Sequence, residues 1–368
     1  MEKVQATGLV ESIIMEEGMK KPEYFIGIDV ASQSFYAAAG EVIENDWRLV
    51  LKPGQFENEY DSLPKFLGWL QQNQFKPENV VICMEATGVY NEVLAHFLVA
   101  NGYQVAIQPP LEVKRAFKPV GHKTDSVDSS QIAEYAYRFF DELRIWAPRE
   151  QVLEQIKTLL ATREQFCLQK TAHMNALKAL QRKFVRTPLA EKLHENTITR
   201  LKADIGAIEQ EIERLIDQDP TYRQLVGLMM TIPGVGFLLA SHLLVTFQSS
   251  PQPFNPKALS AFIGICPYQR QSGSSIRGAS TSRHYGPPGL RRLLYLAAMS
   301  VRTHHPYFRQ YFLRKVELGK SKKLVINNIA NKLLRIICAV LRTQTPFILG
   351  YRSIHPQLLN LKQPLTMS

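Results

Sequence analysis

Residues 150–219 contain a single glycine, Gly206, and this stretch constrains the fold more than any other part of the chain. Apolar residues at spacings of 3, 4, 3, 4 and 3 form a coiled-coil seam there: Ile198, Leu201, Ile205, Ile208, Ile212 and Leu215. The pattern predicts a long helix, preceded by another over about 151–184 whose seam is broken by Arg163 and Lys170. Arg186-Thr187-Pro188 marks the turn between them. The two helices form either a hairpin within one chain or a dimerisation arm, and the pattern allows both.

The segments before this stretch favour an α/β domain over roughly residues 23–147. The run EYFIGIDVASQSFYAAAGEV is apolar, then polar, then β-prone again, which predicts a β-hairpin. Helical spacing follows in SLPKFLGWLQQ and NEVLAHFLVANG, whereas NVVICMEATG and YQVAIQPP are short apolar runs typical of buried parallel strands. A hairpin followed by alternating helices and strands indicates a sheet covered by helices, and Pro148 then interrupts the chain.

The net charge of +11 is distributed very unevenly along the chain. Residues 220–368, hereafter the basic half, hold 19 Lys and Arg against a single acid, Glu317, a formal charge of +18. Residues 1–219 hold 25 bases and 32 acids, a formal charge of −7. Because a half with almost no acids repels itself unless a polyanion lies against it, the distribution predicts nucleic acid as partner. The alternatives are a solvated basic surface or an anionic-membrane patch, but the bases are interleaved with Tyr, Phe and Ser.

The cysteines and the N-terminal sequence indicate in which cellular compartment the protein is expected. The four cysteines are widely scattered without a CxxC pair, which is typical of isolated reduced thiols rather than of disulfides or a zinc site. The N-terminus has no basic start followed by an apolar core, and no segment reaches about 18 uninterrupted apolar residues. We therefore expect a cytoplasmic protein with no signal peptide and no membrane span.

The basic half begins with a glycine-containing turn, TIPGVG, followed by an apolar helical run. Gly234 and Gly236 allow a tight bend, and the free N–H groups at the start of the next helix can face a phosphate, as in a helix-hairpin-helix turn. Any tight turn between helices can use the same residues. The position of this turn at the start of the basic half favours contact with the DNA backbone.

Four carboxylates of the α/β domain occupy positions where a negative charge is either costly to bury or favoured by a helix dipole. Asp29 lies inside an apolar strand, and Glu85 ends another that would lie beside the first. Asp125 and Asp128 share one face of the first turn of a helix that Thr124 can cap, where acids also serve as plain stabilisers. Converging carboxylates repel one another unless cations lie between them. Hard oxygen ligands select Mg²⁺ or Mn²⁺, and two such ions are suited to phosphoryl displacement.

Several motifs in this order resemble the DEDD transposases of the insertion-sequence-110 family: FIGIDV, MEATGVY, HKTDSVDSSQIA, TIPGVG, LSAFIGICPYQRQSGSSIRG and LRRLLYLAA. The resemblance spans most of residues 24–345. It implies a RuvC-like, ribonuclease-H-type α/β domain with Asp29, Glu85, Asp125 and Asp128 as metal-binding tetrad. It also implies a DNA strand-transfer enzyme with a serine that attacks the DNA phosphate, a structured guide RNA from the element's own ends, and a homo-oligomer, dimeric or tetrameric.

The segment QRQSGSSIRGASTSR offers several serines for that attack: Ser272, Ser274, Ser275, Ser280 and Ser282. A serine nucleophile conserves the phosphodiester energy in a protein–DNA ester, so rejoining needs no external energy source. Ser272 matches the family's Ser-Gly position best, with Ser274 and Ser275 as alternatives. Without the resemblance, a Ser/Gly/Arg loop is more often a phosphate-binding loop. The cations expected to bind nucleic acid are Arg270, Arg277, Arg283, Arg291 and Arg292.

The predicted organisation is an N-terminal extension (1–22), a RuvC-like catalytic domain (23–147), a helical coiled-coil arm (148–219), a mainly α C-terminal transposase domain with a helix-hairpin-helix-like turn and the serine (220–345), and a tail (346–368). Two other functions are compatible with the same residues. One is a metal-dependent nuclease or junction resolvase of the RuvC type, in which water is the nucleophile. The other is a non-catalytic nucleic-acid-binding protein, which would lose nothing when Asp29 is changed.

Overall fold

A computed structural model describes the backbone of residues 22–43, 46–117, 125–143, 145–248, 254–272, 276–282 and 286–349, with side chains at all of these except 125–127, 267–272 and 276–282. The chain divides into two compact units between Arg149 and Glu150, beside the predicted end of the first domain. The predicted boundary at residue 219 lies inside the second unit, where one hydrophobic core includes residues from both sides of it.

The first unit is built on a five-stranded mixed sheet with strand order β3-β2-β1-β4-β5. Strands β1 and β2 form the predicted hairpin, and β1, β4 and β5 are parallel as predicted. The sequence prediction missed β3, which pairs antiparallel with β2 at the sheet edge. Its residues are mostly exposed and include Pro53 and Gly54, so it lacks the apolar run of a buried strand. The strands are β1 Tyr24–Val30, β2 Ser34–Ile43, β3 Asp46–Glu57, β4 Val80–Glu85 and β5 Gln104–Gln108.

Helices cover both faces of this sheet: α1 Leu63–Gln72, α2 Glu92–Ala100, α3 Pro110–Ala116 and α4 Asp125–Arg138. Successive strand residues point to opposite faces, so Ile26 and Ile28 pack with α1 and α2, whereas Phe25 packs with α4. The helices predicted from SLPKFLGWLQQ and NEVLAHFLVANG are therefore confirmed, as is a helix that begins at Asp125. Thr124, the predicted cap, lies outside the described residues.

The second unit begins with two long antiparallel helices, α5 Gln151–Leu180 and α6 Pro188–Gln218. They pack on each other within one chain as a helical hairpin, and a role of this hairpin as a dimerisation arm stays a prediction. Arg163, which interrupts the apolar pattern of α5, pairs with Glu209 of α6 at 2.6 Å. The first helix ends at Leu180 rather than near residue 184, and α6 starts at Pro188, where a proline is suited to the first helical position.

The rest of the second unit is mainly helical, with one antiparallel β-hairpin. Among the helices in the described ranges, α12 is long and apolar enough to cross a membrane by length and composition, but most of its apolar side chains are buried in the protein, as in a core helix. The elements are α7 Pro220–Met230, α8 Phe237–Gln248, α9 Pro256–Ile263, β6 Pro267–Ser272, β7 Ile276–Ser282, α10 Pro288–His304, α11 Pro306–Glu317 and α12 Lys322–Thr343.

Candidate active site and nucleic-acid interface

Asp29 and Glu85 stand at the same edge of the sheet of the first unit. Strands β1 and β4 are parallel neighbours, and their last registered pair is Ile28 with Met84. Asp29 and Glu85 are the next residue on each strand, so they lie side by side near the C-terminal ends of two adjacent strands. Both are half-buried and both have polar or electrostatic interactions within the chain.

The alternation of side chains places both carboxylates on the face that α4 covers. Phe25 lies four residues before Asp29 on β1. Its ring packs against those of Tyr137 and Phe140, with centroid distances of 5.7 and 5.8 Å respectively. Asp29 has the same parity as Phe25 and so faces the same way. On β4, Val81 and Cys83 belong to the cluster on this face, and Glu85 continues their alternation.

A close approach at Gly27 fixes where α4 crosses β1. A Cβ on Gly27 would lie less than 3.0 Å from the carbonyl oxygen of Ser129 and from the amide nitrogen and Cα of Ala133, so only glycine leaves room for the helix. Phe25 contacts Tyr137, whereas Gly27 contacts Ser129 and Ala133, so the point of contact on α4 moves toward the N-terminus of that helix as β1 proceeds. The next two strand residues advance about 6.6 Å, which is about four helical residues at 1.5 Å each. Asp29 therefore lies beside the first turn of α4.

That first turn contains the other two predicted carboxylates. Asp125 is the first residue of α4, and Asp128 is half-buried one turn later. The strand register and the Gly27 contact thus put the first turn of α4 on the same face of the sheet as Asp29 and Glu85. The side chain of Asp125 lies outside the described set.

The negative charge of Glu85 affects the ionisation of Cys83, two residues earlier on β4. Burial raises the pKa of the Cys83 thiol well above its ordinary value, and the charge of Glu85 raises it further. The donor set of the four positions consists of carboxylate oxygens alone, which fits Mg²⁺ or Mn²⁺ and not a soft metal. Among the side chains that the structure describes, no group of three or more His, Cys, Asp and Glu is assembled to hold a metal ion.

Asn58 links the loops that follow β1 and β4, a role that no sequence motif predicted. Its side-chain Nδ2 donates to the carbonyl oxygens of Ala31 at 3.0 Å and Tyr90 at 2.9 Å. Ala31 follows the strand that contains Asp29, and Tyr90 lies in the short turn after Glu85. Asn58 therefore holds together the two chain segments that leave the carboxylate edge.

In the second unit, the segment expected to be a Ser/Gly/Arg loop is instead a β-hairpin formed by β6 and β7, hereafter the serine hairpin (residues 267–282). The strands pair in antiparallel register from Pro267 with Ser282 to Ser272 with Ile276. Ser272 is the last residue of β6 and is paired with Ile276. Arg270 lies on β6, and Arg277, Ser280 and Ser282 lie on β7; the side chains of all of these, and Ser274, Ser275 and Arg283 entirely, lie outside the description.

The predicted PGVG turn connects α7 to α8, as expected. Gly234 has a φ of +80°, and a Cβ there would meet Val301 of α10, so packing and backbone conformation both require glycine. Around Gly236, by contrast, a Cβ would have no described atom within 4 Å. Of the two glycines, Gly234 thus has a full structural explanation.

The arginines at the start of α10 have partners within the unit. Arg291 Nη1 donates to the carbonyl oxygen of Ile263 at 2.9 Å, and Arg292 pairs with Glu164 of α5 at 3.2 Å. Arg292 remains about half exposed, so it retains donors that face solvent. The structure brings these two arginines close to α9 and α5, respectively.

The sequence matches two protein-family models and several known proteins. A family model for DEDD-type IS110 proteins, described as Transposase, matches residues 26–185, and the model described as Transposase IS116/IS110/IS902 family matches residues 226–313. The pilin gene-inverting protein of Moraxella bovis is 28% identical over 326 residues, 88% of this chain and 97% of that protein. The transposase for insertion sequence element IS1111A of Coxiella burnetii is 24% identical, over 73% of this chain and 79% of that protein.

Among solved structures, T. thermophilus RuvC in complex with Holliday junction substrate covers 34% of this chain and 99% of its own, at 13% identity. The TM-score of 0.24 is too low to support an argument.

Proposed function

Because this chain belongs to the IS110 family of transposases, we propose that it cuts and rejoins DNA with two groups of residues, four metal-binding carboxylates and one nucleophilic serine. The two family models match parts of both units, and relatives include a transposase and a gene-inverting protein. The protein is a transposase that acts on DNA. The proposal concerns how it does so.

The carboxylate assignment rests above all on the convergence of Asp29, Glu85 and the first turn of α4 at one edge of the sheet. We interpret the first unit as a RuvC-like, ribonuclease-H-type domain because a hairpin leads into parallel strands and a helix covers the edge with acids. Asp29, Glu85, Asp125 and Asp128 would hold two Mg²⁺ or Mn²⁺ ions. When bound, such ions neutralise phosphate charge and polarise the phosphorus–oxygen bonds. The protein's contribution is to hold the oxygen donors in place.

Ser272 is the proposed nucleophile. Its Oγ forms a bond to a DNA phosphorus while the bond from that phosphorus to a deoxyribose oxygen breaks, the serine losing a proton and the sugar oxygen gaining one. The reverse attack by a sugar hydroxyl on the serine ester restores a phosphodiester, so the bond energy is conserved. The proposal is supported by the Ser-Gly step of the family motif and by Arg270 and Arg277 on the same hairpin.

The proposed partners follow from charge and from the family resemblance. The basic half provides cations for DNA, and for a structured guide RNA that would choose donor and target sites. We propose a homo-oligomer, a dimer or tetramer, in the cytoplasm, where the free thiols are stable.

A suicide DNA substrate tests the serine. Wild-type protein should form a covalent adduct whose peptide, mapped by mass spectrometry, contains modified Ser272. Ser272→Ala should lower adduct formation at least about a thousandfold, since removal of a nucleophile has effects of that size. Ser280→Ala, on the same hairpin, is the matched control and should keep the adduct. An adduct on Ser274 or Ser275 would correct the assignment, and efficient cleavage by Ser272→Ala without an adduct would favour a water-using nuclease.

The carboxylates are tested by Asp29→Asn, Glu85→Gln and Asp128→Asn, each nearly isosteric. Cleavage should be lost while DNA binding stays within about twofold, because the amide cannot replace a metal-binding carboxylate. Glu78→Gln, at an exposed acid just before β4 and so at the opposite end of that strand from Glu85, serves as control. Wild-type cleavage by Asp29→Asn in the presence of Mg²⁺ would remove the metal-site assignment. The guide RNA is tested separately, by sequencing RNA that copurifies with the protein and comparing it with the ends of its element.

A further inference from the structure

The entry to the serine hairpin, residues 263–265, is held by side chains from two distant helices. Two asparagines of α12 donate to one carbonyl oxygen, that of Ile265: Asn327 Nδ2 at 2.9 Å and Asn331 Nδ2 at 3.0 Å. From α10, Arg291 donates to the carbonyl oxygen of Ile263. The side chain of Ile265 is itself buried in the core of the unit. The chain is thus fixed only two residues before β6 begins at Pro267.

The backbone N–H groups of residues 264–266 also have hydrogen-bond partners, at the end of α9. Helix α9 ends in Gly264, which has a φ of +78° and donates to the carbonyl oxygen of Ala261. The amides of Ile265 and Cys266 both donate to Ser260. The carbonyl oxygen of Ile265 points away from α9 toward α12, and it accepts two hydrogens there, which is the full capacity of a carbonyl oxygen.

The exit from the hairpin is attached to the same place. A Cβ on Gly286 would overlap the carbonyl oxygen of Phe262 and lie 3.0 Å from the Cα of Ile263, so the chain after β7 returns into direct contact with the end of α9. Gly286, four residues after β7, and the residues that lead into β6 therefore both lie at residues 262–265.

Within α12 itself, Asn331 Nδ2 also donates to the carbonyl oxygen of Asn327 at 3.2 Å, so the bonds to Ile265 are the contacts that the two asparagines make outside their helix. Asparagine is a weak helix former, and both positions border the buried face that holds Ile329, Ala330 and Leu334. Their spacing of four residues lets both amides reach the same oxygen. Both lie beyond residue 313, where the match to the family model ends.

We infer that Asn327 and Asn331 are positioning residues for the strand-transfer reaction, which fix the entry of the serine hairpin and so the location of Ser272. The inference rests on the proposed function of Ser272 as nucleophile. The asparagines do not touch the reacting atoms. They act through the carbonyl oxygen of Ile265, which ties α12 to the strand that ends at Ser272.

The test uses the full-length double variant Asn327→Ala/Asn331→Ala on the suicide substrate. The rate of adduct formation should fall about ten- to a hundredfold, because a displacement of about 1 Å at a reacting group has an effect of that size. DNA affinity should change less than about twofold, since no nucleic-acid contact is removed. Asn328→Ala makes the same chemical change one residue away, at a side chain for which no hydrogen bond is described, and should leave the rate unchanged.

Loss of stability is separated from loss of positioning by a second control. Cys338→Ala removes a fully buried sulfur from the same helix, seven residues beyond Asn331, and should lower the melting temperature without slowing the adduct rate below that temperature. Hydrogen exchange of the peptide that spans residues 264–272 gives a direct readout. Exchange there should be faster in the double variant and unchanged in Asn328→Ala.

Each outcome decides the inference. Faster exchange together with a slower adduct rate supports it. Unchanged exchange means that the asparagines do not fix the hairpin entry, and faster exchange with a wild-type adduct rate means that the entry does not position the nucleophile; either result overturns the inference. If Ser272→Ala keeps the adduct, the proposed function fails instead, while the exchange measurement still reports whether the asparagines hold the hairpin.

Discussion

At the scale of single residues, the absence of a side chain at Gly27 matters as much as the charge of Asp29. A glycine inside a strand weakens it, so its presence in β1 requires a reason in packing. The reason is α4, whose backbone at Ser129 and Ala133 occupies the space of a Cβ. This contact brings the first turn of α4 to the carboxylate edge.

Gly27→Ala should therefore separate α4 from β1 and damage the site without altering any carboxylate. Because the atoms in the way are backbone atoms, we expect a loss of about 1–3 kcal/mol in unfolding free energy together with loss of cleavage. Chemical denaturation and a cleavage assay measure the two effects. Gly68→Ala is the matched control: a Cβ there meets no described atom within 4 Å, and alanine in the middle of α1 should stabilise by about 1 kcal/mol. Equal stability of the two variants would contradict the close approach.

The four cysteines should differ in reactivity according to burial. Burial raises the pKa of Cys83 strongly and that of Cys338 to about 12, so neither forms thiolate near neutral pH. Cys167 and Cys266 are only half-buried. In the folded protein at pH 8, a thiol reagent should modify Cys167 and Cys266 and spare the other two, as read by peptide mass spectrometry. All four should react after denaturation, and rapid modification of native Cys83 would mean that β4 is not buried.

At the scale of elements, helices α5, α8 and α10 pack around a group of charged and titratable side chains. Arg163 and Glu164 come from α5, His242 from α8 and Arg292 from α10. Arg163 pairs with Glu209 and Arg292 with Glu164, so each arginine is compensated by a carboxylate. Burial, and then the charges of Arg163 and Arg292, lower the pKa of His242 to about 4. The neutral imidazole is the form that this packing accepts.

The second unit should consequently lose stability in mild acid. A histidine with a pKa of about 4 when folded and about 6.5 when unfolded binds its proton more tightly in the unfolded chain. Its stabilising contribution is complete above pH 6.5 and is lost as the pH falls toward 4, by up to about 3 kcal/mol. His242→Gln should remove this part of the pH dependence, measured as unfolding free energy from pH 7 to pH 4. An identical pH profile in wild type and variant would contradict the burial of a neutral His242.

At the scale of the whole molecule, acidic and basic residues are separated along the chain. The acids lie almost entirely before residue 220, and the basic half holds cations even where they oppose helix stability. Lys322 and Lys323 occupy the first turn of α12, where the helix dipole favours negative charge, and both are exposed. Their position suits contact with phosphate better than it suits the helix.

Lys322→Gln/Lys323→Gln should weaken DNA binding and reduce its salt dependence. Each lost phosphate contact should lower the slope of log K against log salt by about 0.9, and removing the cations should leave the helix slightly more stable. Filter binding or fluorescence anisotropy over a salt series measures the slope. Lys192→Gln/Lys202→Gln removes two exposed lysines from α6, outside the basic half, and is the matched control. A wild-type slope in the α12 variant would exclude this end of the helix from the interface.

Local sequence patterns were enough to predict the order and type of most elements, because those patterns are strong. Apolar runs and the helical seam of α6 depend only on neighbouring residues, and so do the charge division and the Pro188 turn. Where the local pattern was weak, prediction failed: β3 is mostly exposed, and the residues of the serine hairpin are polar, so neither shows the periodicity of a buried strand. The family resemblance then indicated which acids and which serine to consider.

Only the tertiary structure decided which distant residues meet. Strand register sets Asp29 beside Glu85, and the contact at Gly27 sets α4 across them, although these segments are far apart in sequence. Asn58, Asn327 and Asn331 are ordinary polar residues whose importance depends on which carbonyl oxygen they face. A sequence pattern describes one element's faces, whereas hydrogen bonds between elements depend on how those faces pack. The side chains that hold the carboxylate edge of the first unit and the hairpin entry of the second are therefore identified by tertiary contacts and not by local sequence.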